Sequence, residues 1–361
     1  MTGKLRTGRT TGSCATAAAM AGVGYLLTGD MPAAVDVPLP PGGTLSVPLE
    51  RYEPRDSAVR VTVIKDGGDD PDATHGHEIQ ALVSVDRDAV TPLAVTIDGG
   101  TGVGRATLPG LPVDVGEAAI NPDPKKQIET GVRLAAEGME HGAISVLVEV
   151  PEGAEIARKT MNPRLGIIGG ISILGTQGIV KPYSHDSWKA TVAEGLDVAR
   201  AQGLEHAVFT TGRRSERLYL ESHPGTSELA LVQAADFFAF SMQAAAERDF
   251  RRITWSVFFG KLVKQAQGLE YTHAKTHPVD FGKLADWCGE AGCSAEYDAE
   301  IRGANTARQV LALLEQDAAR PALISLLVDK AAEAAEAFAG GRCAVEYAVF
   351  DFDGTRLDVP A

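Results

Sequence analysis

The chain has 361 residues, of which 44% are hydrophobic and 23% charged, a composition typical of a globular protein with room for two domains. Its formal net charge of −14 disfavours binding to nucleic acid, which needs a basic surface to neutralise phosphates. No apolar stretch is long enough to cross a bilayer, the first residues lack the apolar run of a signal peptide, and the four cysteines have no metal-binding spacing. We therefore expect a cytoplasmic protein with reduced thiols.

The first half of the sequence predicts an α+β domain. Two helices are expected, at about residues 13–27 and 125–140, among short β-like runs separated by glycine and proline. The predicted strands are residues 35–37, 58–64, 79–85, 94–97 and 145–150. Pro182 and Ser184 interrupt an apolar run, so we place the domain boundary there, with domains of residues 1–184 and 185–361.

The second half alternates strands and helices, which predicts an α/β domain with a short, mostly parallel sheet. The predicted strands are residues 206–210, 229–233, 253–258 and 344–350. The predicted helices are residues 186–202, 237–247, 261–267, 279–289, 304–316 and 321–339.

The opening segment predicts an anion-binding site. Arg6 and Arg9 precede a run of small and hydroxyl residues that can cap a helix, namely Thr10, Thr11, Gly12 and Ser13. Free N–H groups at a helix start, with cations nearby, suit a carboxylate or a phosphate. The pattern fits equally well a capped helix with solvated arginines. Cys14, near the helix start, is a weaker candidate for a nucleophile, because no histidine or acid stands beside it in the sequence.

An acidic stretch at residues 66–72 is followed by His75, His77 and Glu78. It lacks the ligand spacing of an EF-hand, so a solvated turn after a strand is the main interpretation and a cation site is the alternative.

Two glycine-rich segments, residues 99–104 and 162–176, do not fit nucleotide-binding motifs. The first is followed by Pro109 and Pro112 where a dinucleotide fold needs a helix, and the second lacks the lysine of a P-loop. The glycines indicate backbone in close contact with another segment or with a flat ligand.

In the second half, the segment from Thr211 to Glu216 and the pair Gly260 and Lys261 each follow a predicted strand. Ligands of parallel sheets bind beyond the carboxyl ends of the strands, so these segments are candidates for a binding site. The arginine pair at residues 213 and 214 also fits a solvated helix start.

Taken together and in order, these motifs resemble the cobalt-precorrin-5B C1-methyltransferase family of anaerobic cobalamin biosynthesis. The matching motifs are residues 6–15 (RTGRTTGSCA), 66–76 (DGGDDPDATHG), 100–104 (GTGVG), 119–122 (AINP), 162–172 (NPRLGIIGGIS), 260–262 (GKL) and 272–273 (TH). The resemblance implies transfer of a methyl group from S-adenosylmethionine to ring carbon C1 of a cobalt-containing tetrapyrrole, giving cobalt-precorrin-6A. It also implies an α+β domain followed by an α/β domain. Cobalt is implied only as part of the substrate, and no metal is assigned to the protein.

The second half departs from the pattern of this family in three places. Phe258 stands where the family motif GHIGK has histidine, and Tyr271 stands where asparagine precedes Thr-His. Residues 213–215 read RRS where the family motif GNYGE has NYG.

On this resemblance we assign candidate roles to individual residues. The carboxylates of the anionic substrate are expected to bind the start of the first helix and three arginines with a neighbouring amide, namely Arg6, Arg9, Thr10, Thr11, Gly12, Ser13, Asn162 and Arg164. The donor is expected at Thr211, Gly212, Glu216, Gly260 and Lys261. His273 is the candidate general base, with a structural core histidine as the alternative.

Two other functions remain open at this point. A non-catalytic tetrapyrrole carrier would bind the substrate without turnover. A metal-dependent hydrolase would use residues of the acidic stretch, namely Asp69, Asp70, Asp72, His75 and His77. A homodimer is the default expectation for the assembly, because symmetric dimers are common.

Overall fold

A computed structural model describes residues 5–358 of the chain. The chain divides into two compact units, Met1–Ser187 and Trp188–Ala361, and the boundary predicted from the sequence lies at residue 184. No helix within residues 5–358 is long and apolar enough to cross a membrane.

The first unit is built on a mixed five-stranded sheet. Its strands, in spatial order, are β4 (Arg51–Arg55), β5 (Ala58–Ile64), β6 (Glu78–Asp86), β9 (Ala143–Glu149) and β7 (Ala94–Gly99). All neighbours are antiparallel except β7 and β9, which run parallel. Three further pairs of short strands complete the unit as antiparallel ladders, namely β2 (Ala34–Pro38) with β3 (Thr44–Pro48), β1 (Gly8–Arg9) with β11 (Ile179–Val180), and β8 (Arg105–Ala106) with β10 (Ile167–Ile168).

Helix α1 (Thr11–Thr28) packs on this sheet against β5 and β6, beside α2 (Pro122–Ala135); α3 (Gly153–Ala157) is a single short turn after β9. The alanines of α1 give it high helix propensity, and their small side chains are buried around its first four turns. Gly131 of α2 lies against Thr16 and Met20, so the two helices pack closely. Gly29 ends α1 in the left-handed conformation with φ of 86°, and its N–H donates to the Tyr25 carbonyl.

The second unit is an α/β layer around a four-stranded parallel sheet. The spatial order is β13 (Leu231–Gln233), β12 (His206–Thr210), β14 (Arg252–Phe258) and β15 (Ala344–Phe350). Helix α4 (His185–Ala201) contains the point at which the chain divides, and the later helices cover the sheet: α5 (Arg213–Ser222), α6 (Phe238–Glu247), α7 (Phe259–Ala266), α8 (Phe281–Glu290), α9 (Asp298–Arg302), α10 (Ala307–Leu313) and α11 (Arg320–Phe338). Trp255 on β14 is fully buried, with its ring 5.0 Å from that of Phe209 on β12.

The predicted fold class, an α+β part followed by an α/β part with a parallel sheet, is confirmed. Several details of the prediction are wrong. Strands β3 and β4 were not predicted, and α2 occupies residues 122–135 rather than 125–140. Helix α5 begins at Arg213, which agrees with the alternative of a helix start at residues 213 and 214, but its extent was not predicted. Helix α7 begins at Phe259 rather than at Lys261, so Gly260 also lies in its first turn.

Candidate functional site

In the first unit, the start of α1 is held in place by its own hydroxyl groups. Thr10 is the N-cap residue, and its Oγ1 accepts a hydrogen bond of 3.1 Å from the Ser13 N–H. The Ser13 hydroxyl donates to the Gly178 carbonyl at 2.7 Å and accepts from the Gln127 amide at 3.1 Å. Both hydroxyls are buried. They anchor the helix start to the chain that returns past residue 178, and a bound anion would meet mainly N–H groups and arginines here.

A buried ammonium group lies beside this helix start. Lys65, only 4% exposed, donates to Thr11 Oγ1 at 3.0 Å, to Thr74 Oγ1 at 2.5 Å and to Asp72 Oδ2 at 2.5 Å. Burial raises the pKa of Asp72, but the charge of Lys65 and the hydrogen bonds from Lys65 and Thr74 outweigh it and leave the pKa lowered. These contacts of Lys65 connect the acidic stretch of residues 66–72 to the start of α1.

The two arginines before α1 have different surroundings. Arg6 forms an ion pair with Asp66, and its backbone N–H donates to Asp69 Oδ2 at 2.6 Å. Hydrogen bonds from Arg6 and from the Gly68 N–H lower the pKa of Asp66 to about 2. Arg9 lies on β1, where its N–H donates to the Asp66 carbonyl at 2.7 Å, and its half-buried side chain forms no ion pair with another described residue. Arg9 is therefore the better placed of the two to bind an incoming anion.

The acidic loop is organised by internal contacts. Asp66 and Asp72 are paired with Arg6 and Lys65. His75 Nδ1 accepts from the Gly67 N–H at 3.0 Å, and His77 contacts Glu152. Within residues 5–358 no three histidine, cysteine, aspartate or glutamate side chains are grouped as a metal ion would need.

The two glycine-rich segments pack on each other. The Gly104 N–H donates to the Ile171 carbonyl at 2.8 Å, and the Ile171 N–H donates to the Gly102 carbonyl at 3.0 Å. Gly102 has φ of 74°, and a Cβ on it would overlap the Val150 carbonyl oxygen. Of the two explanations for these glycines, contact with another segment of the chain is the one that the described contacts support.

Asn162 and Arg164 flank the start of the second glycine-rich segment. Asn162 is buried, with its Nδ2 donating to the Gly170 carbonyl at 3.3 Å and its Oδ1 accepting from the Ser172 hydroxyl at 3.4 Å. Arg164 lies in the turn that precedes β10 and is partly exposed. The Asn162 amide thus holds the segment in shape.

In the second unit, all four parallel strands end at one edge of the sheet. Thr211 and Gly212 follow β12, Asp236 follows β13, and Gly260 and Lys261 follow β14. The structure therefore brings the predicted donor residues to the same sheet edge. Gly212 has φ of 155°, with open space where a Cβ would stand. Glu216 is buried in the first turn of α5, and its Oε2 accepts from the Gln233 side chain at 3.1 Å.

Lys261 is the centre of a polar cluster at this edge. Its ammonium group forms an ion pair with Asp236 and donates to Thr272 Oγ1 at 3.1 Å. Lys264 Nζ donates to the Thr272 carbonyl at 3.0 Å. Burial and the nearby charge of Lys264 lower the pKa of Lys261, while the Asp236 carboxylate favours its charged form. Asp236 and Thr272 fix the position of this lysine.

His273 is partly exposed and partly buried, and its ring is stacked on that of Tyr271, with centroids 5.9 Å apart and planes at 13°. Both the catalytic role of His273 and the alternative of a structural core histidine stay predictions.

Sequence reasoning missed two residues with a clear place in these sites. Asp236 follows a predicted strand and precedes a predicted helix, so the carboxyl-edge rule that selected Gly260 also selects it. Lys65 carries no such signal, because a lysine at the end of a strand is ordinary until its contacts with Thr11 and Thr74 are known.

Comparison with known proteins covers nearly the whole chain. A sequence model of the family described as CbiD matches residues 1–182, and a model described as CbiD, C-terminal domain, matches residues 271–359. A protein of Nitratidesulfovibrio vulgaris (strain Hildenborough) named cobalt-precorrin-5B C(1)-methyltransferase is 49% identical, covering 98% of this chain and 92% of the relative. A protein of the same name from Geobacillus kaustophilus is 43% identical, covering 98% and 94%.

Among solved structures, the crystal structure of the cobalamin biosynthesis protein CbiD from Archaeoglobus fulgidus is 28% identical. It covers 72% of this chain and 79% of its own, with a TM-score of 0.39.

Proposed function

This chain belongs to the CbiD family, and we propose that it is a cobalt-precorrin-5B C1-methyltransferase. It moves a methyl group from S-adenosylmethionine to carbon C1 of cobalt-precorrin-5B, giving cobalt-precorrin-6A in anaerobic cobalamin biosynthesis. The observation that carries the proposal is the 49% identity with a relative of that name over 98% of the chain. The cobalt enters and leaves as part of the substrate.

The chemistry asks the protein mainly for positioning. In a direct transfer, the bond from C1 to the methyl carbon forms as the bond from the methyl carbon to sulfur breaks, and the electron pair of the broken bond leaves with S-adenosylhomocysteine. The methylated tetrapyrrole then gives up a proton to a nearby base or to water, so its net gain is one methylene unit. Holding the two reactants in line accounts for about 7 to 11 kcal/mol of the barrier in well-oriented reactions. His273 stays our candidate for the group that accepts this proton, and its ring is stacked on that of Tyr271.

We place the donor at the carboxyl edge of the parallel sheet in the second unit, at Thr211, Gly212, Glu216, Gly260 and Lys261. Two features support this site. Gly212 leaves open space for a ligand to approach the backbone, and the cluster around Lys261 keeps polar groups at the same edge. Asp236 joins the candidate residues because it holds Lys261.

We place carboxylates of the substrate at the start of α1 in the first unit, with Arg9 and Arg164 as the principal ligands. Arginine suits this role because its planar fork binds a carboxylate through two hydrogen bonds. Arg6 contributes less directly, since a substrate carboxylate must compete with Asp66 for it. Thr10, Thr11, Gly12, Ser13 and Asn162 shape the site through the contacts described above.

The function is tested with purified protein, cobalt-precorrin-5B and S-adenosylmethionine carrying a labelled methyl group. We expect label to appear in the tetrapyrrole, with a mass gain of one methylene unit, and none when either reactant is omitted. Tetrapyrrole binding without transfer, under conditions in which a related enzyme is active, would support the carrier function instead. The assay is repeated with a chelator that leaves the cobalt in the substrate. Unchanged activity under these conditions speaks against a metal-dependent hydrolase.

The donor site has its own test. Calorimetric titration with S-adenosylhomocysteine should show weaker binding for Lys261→Met and unchanged binding for Lys283→Met, a lysine on α8 whose ammonium stacks on Trp287. A crystal structure with S-adenosylhomocysteine bound away from Gly212 and Gly260 would contradict the site.

We also propose a cytoplasmic location and a homodimer, and light scattering of the purified protein tests the latter.

A further inference from the structure

Two arginines and two phenylalanines form a cluster in the second unit that none of the proposed sites uses. The Arg214 and Arg308 guanidinium carbons lie 4.6 and 4.8 Å from the centroid of the Phe352 ring. The Phe258 ring is 5.6 Å from Phe352 and 5.5 Å from the Arg214 guanidinium. We call these four residues the arginine–phenylalanine cluster.

The cluster lies where ligands of parallel sheets bind. Phe258 is the last residue of β14, and Phe352 comes shortly after the end of β15. Arg214 is in the first turn of α5, after β12, and Arg308 is in the first turn of α10. Phe352 is 49% exposed and both arginines are exposed, so the cluster is open to solvent.

The charges of the cluster are only partly compensated within the described part of the chain. No carboxylate among residues 5–358 forms an ion pair with Arg214 or Arg308, although Arg214 donates a hydrogen bond to the Phe352 carbonyl. Of the acids that follow β15, Asp351 lies 4.0 Å from Arg320, and hydrogen bonds from Thr355, with a smaller contribution from the charge of Arg214, lower the pKa of Asp353. By contrast, Arg302, close to Arg308 in sequence, pairs with both Asp286 and Asp298.

Two like charges held beside one ring favour an anion. Since each guanidinium carbon lies within 5 Å of the Phe352 centroid, the two are less than about 10 Å apart and repel each other in the empty protein. A carboxylate within reach of the two guanidinium groups would lower this repulsion and accept charged hydrogen bonds from them. Stacking on the phenylalanine rings also restricts the arginine side chains, which lowers the entropy lost on binding.

We propose that Arg214 and Arg308 bind a carboxylate of the anionic tetrapyrrole substrate, with Phe258 and Phe352 forming the apolar floor beneath it. This inference rests on the proposed function, and it gives the second unit a substrate contact of its own. The donor is a poorer match, because S-adenosylmethionine carries a sulfonium and an ammonium cation beside its single carboxylate. Positions 214 and 258 are also two of the places where the sequence departs from the motifs that it resembles, and in the fold they are in contact.

The test compares Arg214→Gln, Arg308→Gln and the double variant with a matched control, Arg251→Gln. Arg251 is a highly exposed arginine that directly precedes β14, at the opposite end of the strand from Phe258, so its replacement removes the same charge away from the cluster. The first probe is uroporphyrin, a stable tetrapyrrole with many carboxylates, titrated by fluorescence. The second is S-adenosylhomocysteine, titrated by calorimetry.

We expect each cluster variant to weaken uroporphyrin binding by about ten-fold or more, with a smaller dependence on salt, as loss of a charged hydrogen bond predicts. S-adenosylhomocysteine binding should stay unchanged, as should both affinities of Arg251→Gln. Arg308→Lys keeps the charge and should recover part of the affinity. Uroporphyrin affinity equal to wild type in the double variant, or no uroporphyrin binding by the wild-type protein, overturns the inference. A selective loss of S-adenosylhomocysteine binding also overturns it and assigns the cluster to the donor.

The methyl-transfer assay separates this inference from the proposed function. If the wild-type protein is active, the variants should raise the KM for cobalt-precorrin-5B and leave the KM for S-adenosylmethionine unchanged. If the wild-type protein binds uroporphyrin through Arg214 and Arg308 but transfers no methyl group, the methyltransferase proposal fails and the tetrapyrrole site stands.

Discussion

Replacing Lys65 with methionine should destabilise the first unit more than any change of a surface lysine. The substitution keeps the length of the side chain but removes the donor to Thr11, Asp72 and Thr74. Asp72 then keeps a largely buried charge without its partner. Removing one member of a buried ion pair costs about 3 to 5 kcal/mol. Because the Asp72 side chain is 19% exposed, we expect a cost at or just below the lower end of this range, about 2 to 3 kcal/mol.

Urea denaturation of Lys65→Met, Asp72→Asn and the double variant measures this cost and the coupling between the two residues. All three tryptophans lie in the second unit, so their fluorescence follows that unit, and hydrogen exchange of the α1 amides is needed to follow the first. Lys126→Met, an exposed lysine on α2, is the matched control. If the free energies of unfolding of Lys65→Met and this control differ by less than about 0.5 kcal/mol, a stabilising role for the buried ammonium is refuted.

The same pair predicts a dependence on pH. The pKa of Asp72 is lowered in the folded protein, so its contribution is fully present above the unfolded pKa of about 4 and is lost as the pH falls through the folded value. The difference in stability between wild type and Lys65→Met should therefore shrink in acid and stay constant near neutrality. A difference that grows on acidification would contradict the assigned charges.

Three further predictions concern the first unit. Gly102→Ala should lower the free energy of unfolding by about 2 kcal/mol more than Gly138→Ala does. Both glycines have positive φ, but only at Gly102 would a Cβ overlap the backbone. Equal effects of the two substitutions in thermal melts would contradict the close contact between Gly102 and the Val150 carbonyl. Cys14 should resist iodoacetamide in the native protein and react after unfolding, because burial raises its pKa to about 12; native alkylation seen by mass spectrometry would revive a nucleophilic role. Arg9→Ala should raise the KM for cobalt-precorrin-5B about ten-fold, more than Arg6→Ala does, because Arg6 is already in an ion pair. The reverse order in the methyl-transfer assay would contradict the assignment of Arg9 as a principal ligand of the substrate.

The sequence predicts those elements whose pattern is local. Strands β5, β12 and β15 were predicted with the bounds that the structure shows, because each is a short apolar run ended by turn residues. Strand β4 was missed because it contains Pro54, which is tolerated there only because the strand lies at the edge of the sheet. Helix α5 was predicted only as an alternative, a helix start at residues 213 and 214, because its first turn is polar and follows a strand without a capping side chain.

The candidate sites were predictable where chain order determines position. The parallel sheet brings Gly212 and Gly260 to one edge, and strand order alone was enough to expect it. Contacts between distant segments were not accessible in this way. The pairing of Arg6 with Asp66, the burial of Lys65 and the stacking of Arg308 on Phe352 each depend on how far-apart segments meet, which a single sequence does not encode locally.

The place of β15 at the edge of the sheet has a consequence for synthesis on the ribosome. The first unit can close once β11 has emerged to pair with β1, well before the second unit is translated. In the second unit, β12, β13 and β14 are all made by residue 258, but β14 lacks its outer neighbour until residues 344–350 follow. During that interval one edge of the apolar strand β14 has no partner strand, and such an open edge is a surface that chaperones recognise and through which unfinished chains aggregate.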